Sequence, residues 1–400
     1  MTESAAKPLR IAIVAGEPSG DLLAAHLIAA LKARLPNVIF YGIAGPKMLA
    51  QGCTTLFPQE KLAVRGYVEV LRHYREIMGI RKQLKAGLLA DPPDCFIGVD
   101  APDFNLDLEL GLREAGIKTV HFIGPSIWAW RPERIEKIRR AVDKVLLIFP
   151  FEAKIYADAG VPHAFVGHPL ADVIPEEIDQ AAARERLQLV ADAAPKGKLV
   201  AVLPGSRVSE LELLGTLLVR TAQRMHADAQ ARGEALTFIV PLATPRLRGL
   251  FEASLKEAGT AENGAALDWR LMDGRSHDVL AACDFCVCCS GTATLEVALF
   301  KKPMVIVYRW ARITWWMMRR KLMIPYIGLP NIMAGEFIVP EFIADNCTPE
   351  KITPAAMTLM RDPDTLARLH ARYVEMHRAL KQNTAERAAD AVIPLLSMRA

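Results

Sequence analysis

The sequence predicts an α/β protein made of two doubly wound lobes, each a mainly parallel sheet with helices on its faces. Three observations carry this. Short apolar runs alternate with longer helical patterns along the chain, as βαβ units require. The pattern breaks once, in a polar stretch at 175–198 that ends in Pro and Gly, and then restarts. The 400 residues exceed what one domain usually holds, and 52% hydrophobic against 24% charged residues is the balance of a chain with a large core.

In the first lobe the strand candidates are 11–15, 38–43, 95–99, 119–123, 145–149 and 164–166. Helical patterns fall between them at 22–33, 69–89, 106–115, 133–141 and 152–159. The second lobe repeats the plan with strands at 199–203, 237–240, 268–271, 285–288 and 304–307. From Pro354 onward only helical periodicity remains. The expected division is 1–185, 186–365 and a helical tail, 366–400. Two facing lobes of this kind form a central cleft, since ligands sit at the carboxyl ends of parallel strands.

Composition excludes several classes. Lys and Arg exceed Asp and Glu by only 49 to 45, which is no nucleic-acid footprint. Seven Cys in a long chain argue against a disulfide framework. Four of them, Cys283, Cys286, Cys288 and Cys289, crowd one strand candidate whose side chains alternate faces. They therefore read as core rather than as zinc ligands. The apolar run at 11–15 is too short for a signal core, and no stretch approaches the ~20 apolar residues of a spanning helix. A cytoplasmic chain, soluble or peripheral to a membrane, is expected.

Five segments could carry chemistry. Gly16, Glu17, Pro18, Ser19, Gly20 and Asp21 lie between the first strand and its helix. Small residues and free helix N–H groups there suit a ligand, though a tight turn reads equally well and the dinucleotide fingerprint is missing. Asp100 ends the strand at 95–99, so its carboxylate should face the cleft, while Asp103 reads as a helix N-cap. Gly205, Ser206 and Arg207 follow the strand at 199–203 and open a helix, a candidate diphosphate site. Ser290, Gly291 and Thr292 open another helix, and Glu296 lies one turn on, within reach of a ribose diol. Finally, 309–321 holds five cations, no acid and three of the six Trp. With Trp315, Trp316, Arg319 and Arg320 it suits a membrane surface, or alternatively a lobe or subunit contact. Val68 and Leu71, on a helix with a basic side, offer a second membrane contact or a core-facing stripe.

With these motifs the chain resembles the lipid-A-disaccharide synthases, bacterial inverting glycosyltransferases. The likeness runs nearly end to end through AGEPSGD (15–21), LAVRGYVEVL (62–71), GVDAPDFN (98–105), PSIWAWR (125–131), FPFE (149–152), GHPLAD (167–172), LPGSR (203–207), SGTATLE (290–296) and LPN (329–331). Arg65 and Tyr67 interrupt a segment that is more apolar in other members, and the strand before Ser290 is unusually rich in Cys. The resemblance implies a GT-B fold, two Rossmann-like lobes whose C-terminal helices return to the first. It implies transfer of a sugar from UDP-2,3-diacylglucosamine to 2,3-diacylglucosamine 1-phosphate (lipid X), giving a β-1,6-linked disaccharide 1-phosphate and UDP. It makes Asp100 the base and puts Arg207, Ser290, Gly291, Thr292, Glu296 and Asn331 on the nucleotide side. Gly16, Glu17, Ser19 and Gly20 would line the acceptor side. An anionic membrane surface, the inner face of the bacterial inner membrane, is the implied location, and a homodimer is left open.

Inverting transfer is one displacement, so a single carboxylate suffices as base. Helix N-termini and Arg207 would meet the charge on the leaving UDP. No DxD-type pair stands out, and neither a metal nor a cofactor is expected. The rivals are a UDP-sugar 2-epimerase on the same fold and a non-catalytic two-lobed sugar-nucleotide-binding protein.

Overall fold

A computed structural model describes residues 8–62, 67–260, 267–310 and 323–396. The chain divides into two compact units, one of residues 1–172 with 379–400 and one of 173–378.

The first unit is built on seven parallel strands: β1 (Arg10–Ala15), β2 (Ile39–Ile43), β3 (Thr54–Thr55), β4 (Cys95–Val99), β5 (Lys118–Phe122), β6 (Lys144–Leu147) and β7 (His163–Phe165). Their order is β3-β2-β1-β4-β5-β6-β7. The central strands β1 and β4 are apolar on both faces and buried from end to end, apart from a half-buried Arg10. That is why they read as unbroken apolar runs rather than as alternating ones. Helices Tyr67–Ala90 and Pro102–Arg113 cover one face through Leu84, Leu88, Phe104 and Leu108, packed on Val14 and Phe96.

The second unit holds β8 (Lys198–Leu203), β9 (Leu236–Leu242), β10 (Asp268–Asp273), β11 (Phe285–Cys289), β12 (Met304–Tyr308) and β13 (Glu341–Ile343). Their order is β10-β9-β8-β11-β12-β13, again parallel throughout. All five residues of β11 are buried, and all seven cysteines are free and buried, so its Cys residues act as small apolar core groups.

Eleven strand candidates become strands with ends shifted by at most two residues. The edge strands β3 and β13, two and three residues long, have no counterpart among the sequence candidates.

The unit boundaries differ from those read in the sequence, for a polar reason. Helix Gln180–Arg186 belongs to the second unit. Gln180 Nε2 donates to the carbonyls of Ala282 (3.0 Å) and Cys283 (2.9 Å), and Arg184 pairs with Asp284 at 3.0 Å. Likewise most of helix Pro363–Leu380 stays with the second unit, where Lys301 Nζ meets buried His377 Nδ1 at 2.6 Å. The helix that returns to the first unit is Thr384–Leu396. Asp172 caps its start, accepting from the backbone N–H groups of Gln382, Asn383 and Thr384, and Arg34 holds its side through Glu386 and Asp390.

Candidate active site

In each unit one pair of central strands marks where the strand order reverses, the position at which doubly wound sheets place ligands beyond the carboxyl ends. In the first unit the pair is β1 and β4, with Ala15 opposite Val99. This brings the 16–20 turn and Asp100 side by side. A Cβ on Gly16 would stand 3.4 Å from Ala101 Cβ, and one on Gly20 would stand 3.6 Å from Val99 Cγ1. Both glycines are buried spacers, while Ser19 is exposed and Glu17 half-buried. Asp21 is committed elsewhere. Its carboxylate accepts from Lys47 N (2.9 Å) and Met48 N (3.0 Å), capping helix Pro46–Ala50.

Asp100 is held in a conformation that L-residues avoid. Its φ is 53° and that of Ala101 is 45°, each costing about 1–3 kcal/mol. The surroundings fix it. Asp100 N donates to Phe122 O on β5 (2.9 Å), and Asn105 Nδ2 donates to Asp100 O (2.8 Å). Beneath, Glu109 and His121 form a fully buried pair at 2.8 Å, which locks helix Pro102–Arg113 to β5. Burial pushes the Glu109 carboxyl up and His121 opposes this. A Cβ at Gly98 would lie 2.2 Å from Glu109 Oε1, so only glycine fits there.

Asp103 is not the N-cap. Ala101 takes that position, and its φ leaves Asp103 inside the first turn, where the carboxylate pairs with Arg134 and, at 3.8 Å, with Arg131. Further along the same edge Glu152, 1% exposed, accepts from Trp128 Nε1 (3.3 Å) and Phe149 N (3.2 Å), and burial pushes its carboxyl up to about 8. The motifs 125–131 and 149–152 were visible in the sequence. No spacing rule showed that a buried carboxyl joins them.

In the second unit the reversal lies between β8 and β11, with Leu203 opposite Cys288. The 204–207 turn and the 290–296 loop therefore leave the sheet as neighbours. Gly205 has φ +105°, and a Cβ on it would stand 2.4 Å from Glu210 Oε2. Glu210 closes this turn, accepting from Ser206 N (3.0 Å), Arg207 N (3.2 Å) and the Arg207 guanidinium (2.9 Å). The N–H groups expected to meet an anion are thus already on a carboxylate of the chain. The Arg207 side chain, 51% exposed, is the group presented to solvent.

In the neighbouring loop Ser290 Oγ donates to Ile327 O (3.0 Å), and Thr294 Oγ1 bridges Gly291 O (2.8 Å) and Leu329 N (3.2 Å). Gly291 and Thr292 are exposed at the start of helix Thr292–Leu299. Glu296 stands 3.4 Å from His277 Nε2, a partner that sequence spacing gave no hint of. The carboxylate raises the His277 pKa.

Asn331 differs from its expected role. It is fully buried and its amide makes four bonds, to Val339 O (2.9 Å), Glu341 Oε1 (2.8 Å), Ile338 N (2.9 Å) and Val339 N (3.0 Å). That exhausts an amide's capacity, so Asn331 shapes the 327–341 segment rather than touching a nucleotide. Glu341 completes the clamp by accepting from Ile327 N and Gly328 N, both at 2.9 Å.

Trp315, Trp316, Arg319 and Arg320 lie outside the described residues. Val68 and Leu71 fall in helix Tyr67–Ala90, with side chains outside the description. Among the described residues no three His, Cys, Asp or Glu converge as metal ligands would, and no helix is long and apolar enough to cross a membrane.

Several solved structures share this architecture. The chain is similar to S. aureus MnaA in complex with UDP (TM-score 0.60, 13% identity, 95% of this chain and 94% of that one). It is also similar to CalG4, the calicheamicin glycosyltransferase (TM-score 0.58, 13% identity, 98% and 100%). A third likeness is the UDP-GlcNAc 2-epimerase from Neisseria meningitidis (TM-score 0.57, 12% identity, 97% and 99%). At such identities the likeness establishes the fold and does not separate transferase from epimerase. Sequence relatives do. Lipid-A-disaccharide synthases of Dechloromonas aromatica and Azoarcus sp. are 49% and 51% identical over 391 residues each, covering 97% and 98% of this chain and 99% and 97% of theirs. The family model for lipid-A-disaccharide synthetase matches residues 11–393. The chain belongs to the lipid-A-disaccharide synthase family of glycosyltransferases.

Proposed function

We propose that the protein transfers 2,3-diacylglucosamine from its UDP derivative to the 6-hydroxyl of 2,3-diacylglucosamine 1-phosphate, releasing UDP. Asp100 is the general base. The observation that carries this is its backbone, held left-handed at the switch point of the first sheet, which presents a carboxylate beyond the strand end. Glu17 and Ser19, beside it, line the acceptor side. Arg207 meets the charge that develops on the leaving diphosphate. Ser290, Gly291 and Thr292 flank the nucleotide, Gly205 and Ser206 shape the turn that aims Arg207, and Glu296 accepts from the ribose diol. Asn331 acts through the segment it folds.

Both substrates carry acyl chains and an anionic group. The basic, Trp-rich segment 309–321, with Val68 and Leu71, suits contact with an anionic bilayer without crossing it. The test incubates the protein with both lipids and detects disaccharide 1-phosphate and UDP. UDP formed without acceptor, or interconversion of the donor sugar alone, would contradict the reading. Co-sedimentation with phosphatidylglycerol vesicles but not with neutral ones tests the membrane part.

A further inference from the structure

Beside Asp100 the first unit carries a cluster that no role has yet absorbed. Arg131 lies over the Trp130 ring, its guanidinium carbon 4.1 Å from the centroid, and Arg134 lies 5.9 Å from the same centroid. Both guanidinium groups are directed to one carboxylate, that of Asp103, whose side chain is 80% exposed while Arg134 is only 16% exposed. Arg81, also 16% exposed, donates to Asp103 O (3.1 Å) and pairs with Asp107 (2.6 Å), which Lys137 contacts from its other side. Four cations therefore face two carboxylates. Of the other acids on this turn, Glu136 is turned to Arg139, and Glu133 is exposed at the start of helix Arg134–Ala141.

Arg81 and Arg134 are the most buried of these side chains, and Asp103, between Arg131 and Arg134, is the most exposed. An exposed single carboxylate between two guanidinium groups is a weakly held anion. A phosphomonoester in its place would bring more charge and three acceptor oxygens to donors already gathered over the Trp130 ring.

We propose that Arg131 and Arg134 on Trp130 form the subsite for the phosphomonoester of the acceptor, with Asp103 holding the place until that group binds. This rests on the reading that the acceptor is a sugar 1-phosphate. It makes the cluster a specificity element tied to the base through Asp103, three residues on from Asp100, and it assigns Asp103 a part separate from proton transfer.

The experiment uses two soluble head groups, glucosamine 1-phosphate and glucosamine, titrated into the whole protein by NMR or calorimetry. Wild type should prefer the phosphorylated sugar by about tenfold or more. The double variant Arg131→Ala, Arg134→Ala should lose the preference and keep its affinity for UDP and for phosphatidylglycerol vesicles. Should that variant misfold, Asp103→Asn decides. Removal of the resident carboxylate should tighten glucosamine 1-phosphate severalfold, and unchanged or weaker binding overturns the proposal. Equal affinity of wild type for the two sugars overturns it as well. So does a double variant that keeps the preference but loses vesicle binding, which would make the cluster a membrane patch. If wild type forms no disaccharide yet still discriminates the two sugars, the reaction is misassigned and the subsite stands.

Discussion

The two carboxyl edges are built from the same parts and are stabilised with different emphasis. At the first, the backbone carries the strain. Asp100, Ala101 and Ile123, none of them glycine, have φ of 53°, 45° and 77°, and a buried Glu109–His121 pair holds the layer beneath. At the second, Arg275 and Ala344 also have positive φ (57° and 52°), but the turn that carries Arg207 strains a glycine, Gly205, and side chains hold the loops. Glu210 closes the 205–207 turn, Glu341 and Asn331 close the 327–341 segment, and His277 holds Glu296. The difference fits two tasks. A base must aim one carboxylate at one proton, which strain in a rigid frame can fix. The proposed nucleotide cradle must hold two loops and the Arg207 side chain in one arrangement, which a web of internal carboxylates can fix before the ligand arrives.

The contrast can be broken in several places. Asp100→Asn should lower kcat by about 10²–10⁴-fold with an unchanged melting curve, because the amide keeps the size and cannot take the proton. Near-normal turnover would move the base elsewhere. Arg207→Ala should weaken UDP binding by about ten- to a hundredfold and uridine binding much less. Equal losses would show that no phosphate is read there. Asn331→Ala should cost about 1–3 kcal/mol for each buried partner left unpaired, seen as a lower melting temperature.

The smallest effect concerns Glu152. Its folded pKa of about 8 lies above the unfolded carboxyl value, so its contribution to stability is complete at low pH. That contribution is lost as pH rises from the ordinary carboxyl range through about 8. The melting temperature of wild type relative to Glu152→Gln should therefore fall between pH 5 and 8.5. A constant difference would show that the carboxyl stays ionised across the range.

The sheets were legible because their central strands are continuous apolar runs, and the candidate edges were legible because motifs sit where such runs stop. Asp100 and Arg207 could be picked out that way. What stayed hidden is tertiary and polar. Asp103 looks like a cap from its place before a helix, and only the left-handed turn at Ala101 moves it inside. The family resemblance implies a nucleotide contact for Asn331, and only its four bonds to Ile338, Val339 and Glu341 show the amide already taken. Glu210 and His277 carry no signature, since a Glu in a first turn and a half-exposed His are ordinary in any sequence. The boundary expected at 185 falls instead at 172 because Gln180 and Arg184 attach their helix to the second unit by hydrogen bonds, which hydrophobic periodicity does not register.

The division of labour between the two edges is tested most directly by titrating UDP into Asp100→Asn and measuring its turnover in the same preparation. Wild-type affinity for UDP with turnover lost at least a hundredfold is the predicted result. A parallel loss of UDP affinity, or turnover that survives in the folded variant, would contradict the assignment of proton transfer to the first unit and nucleotide binding to the second.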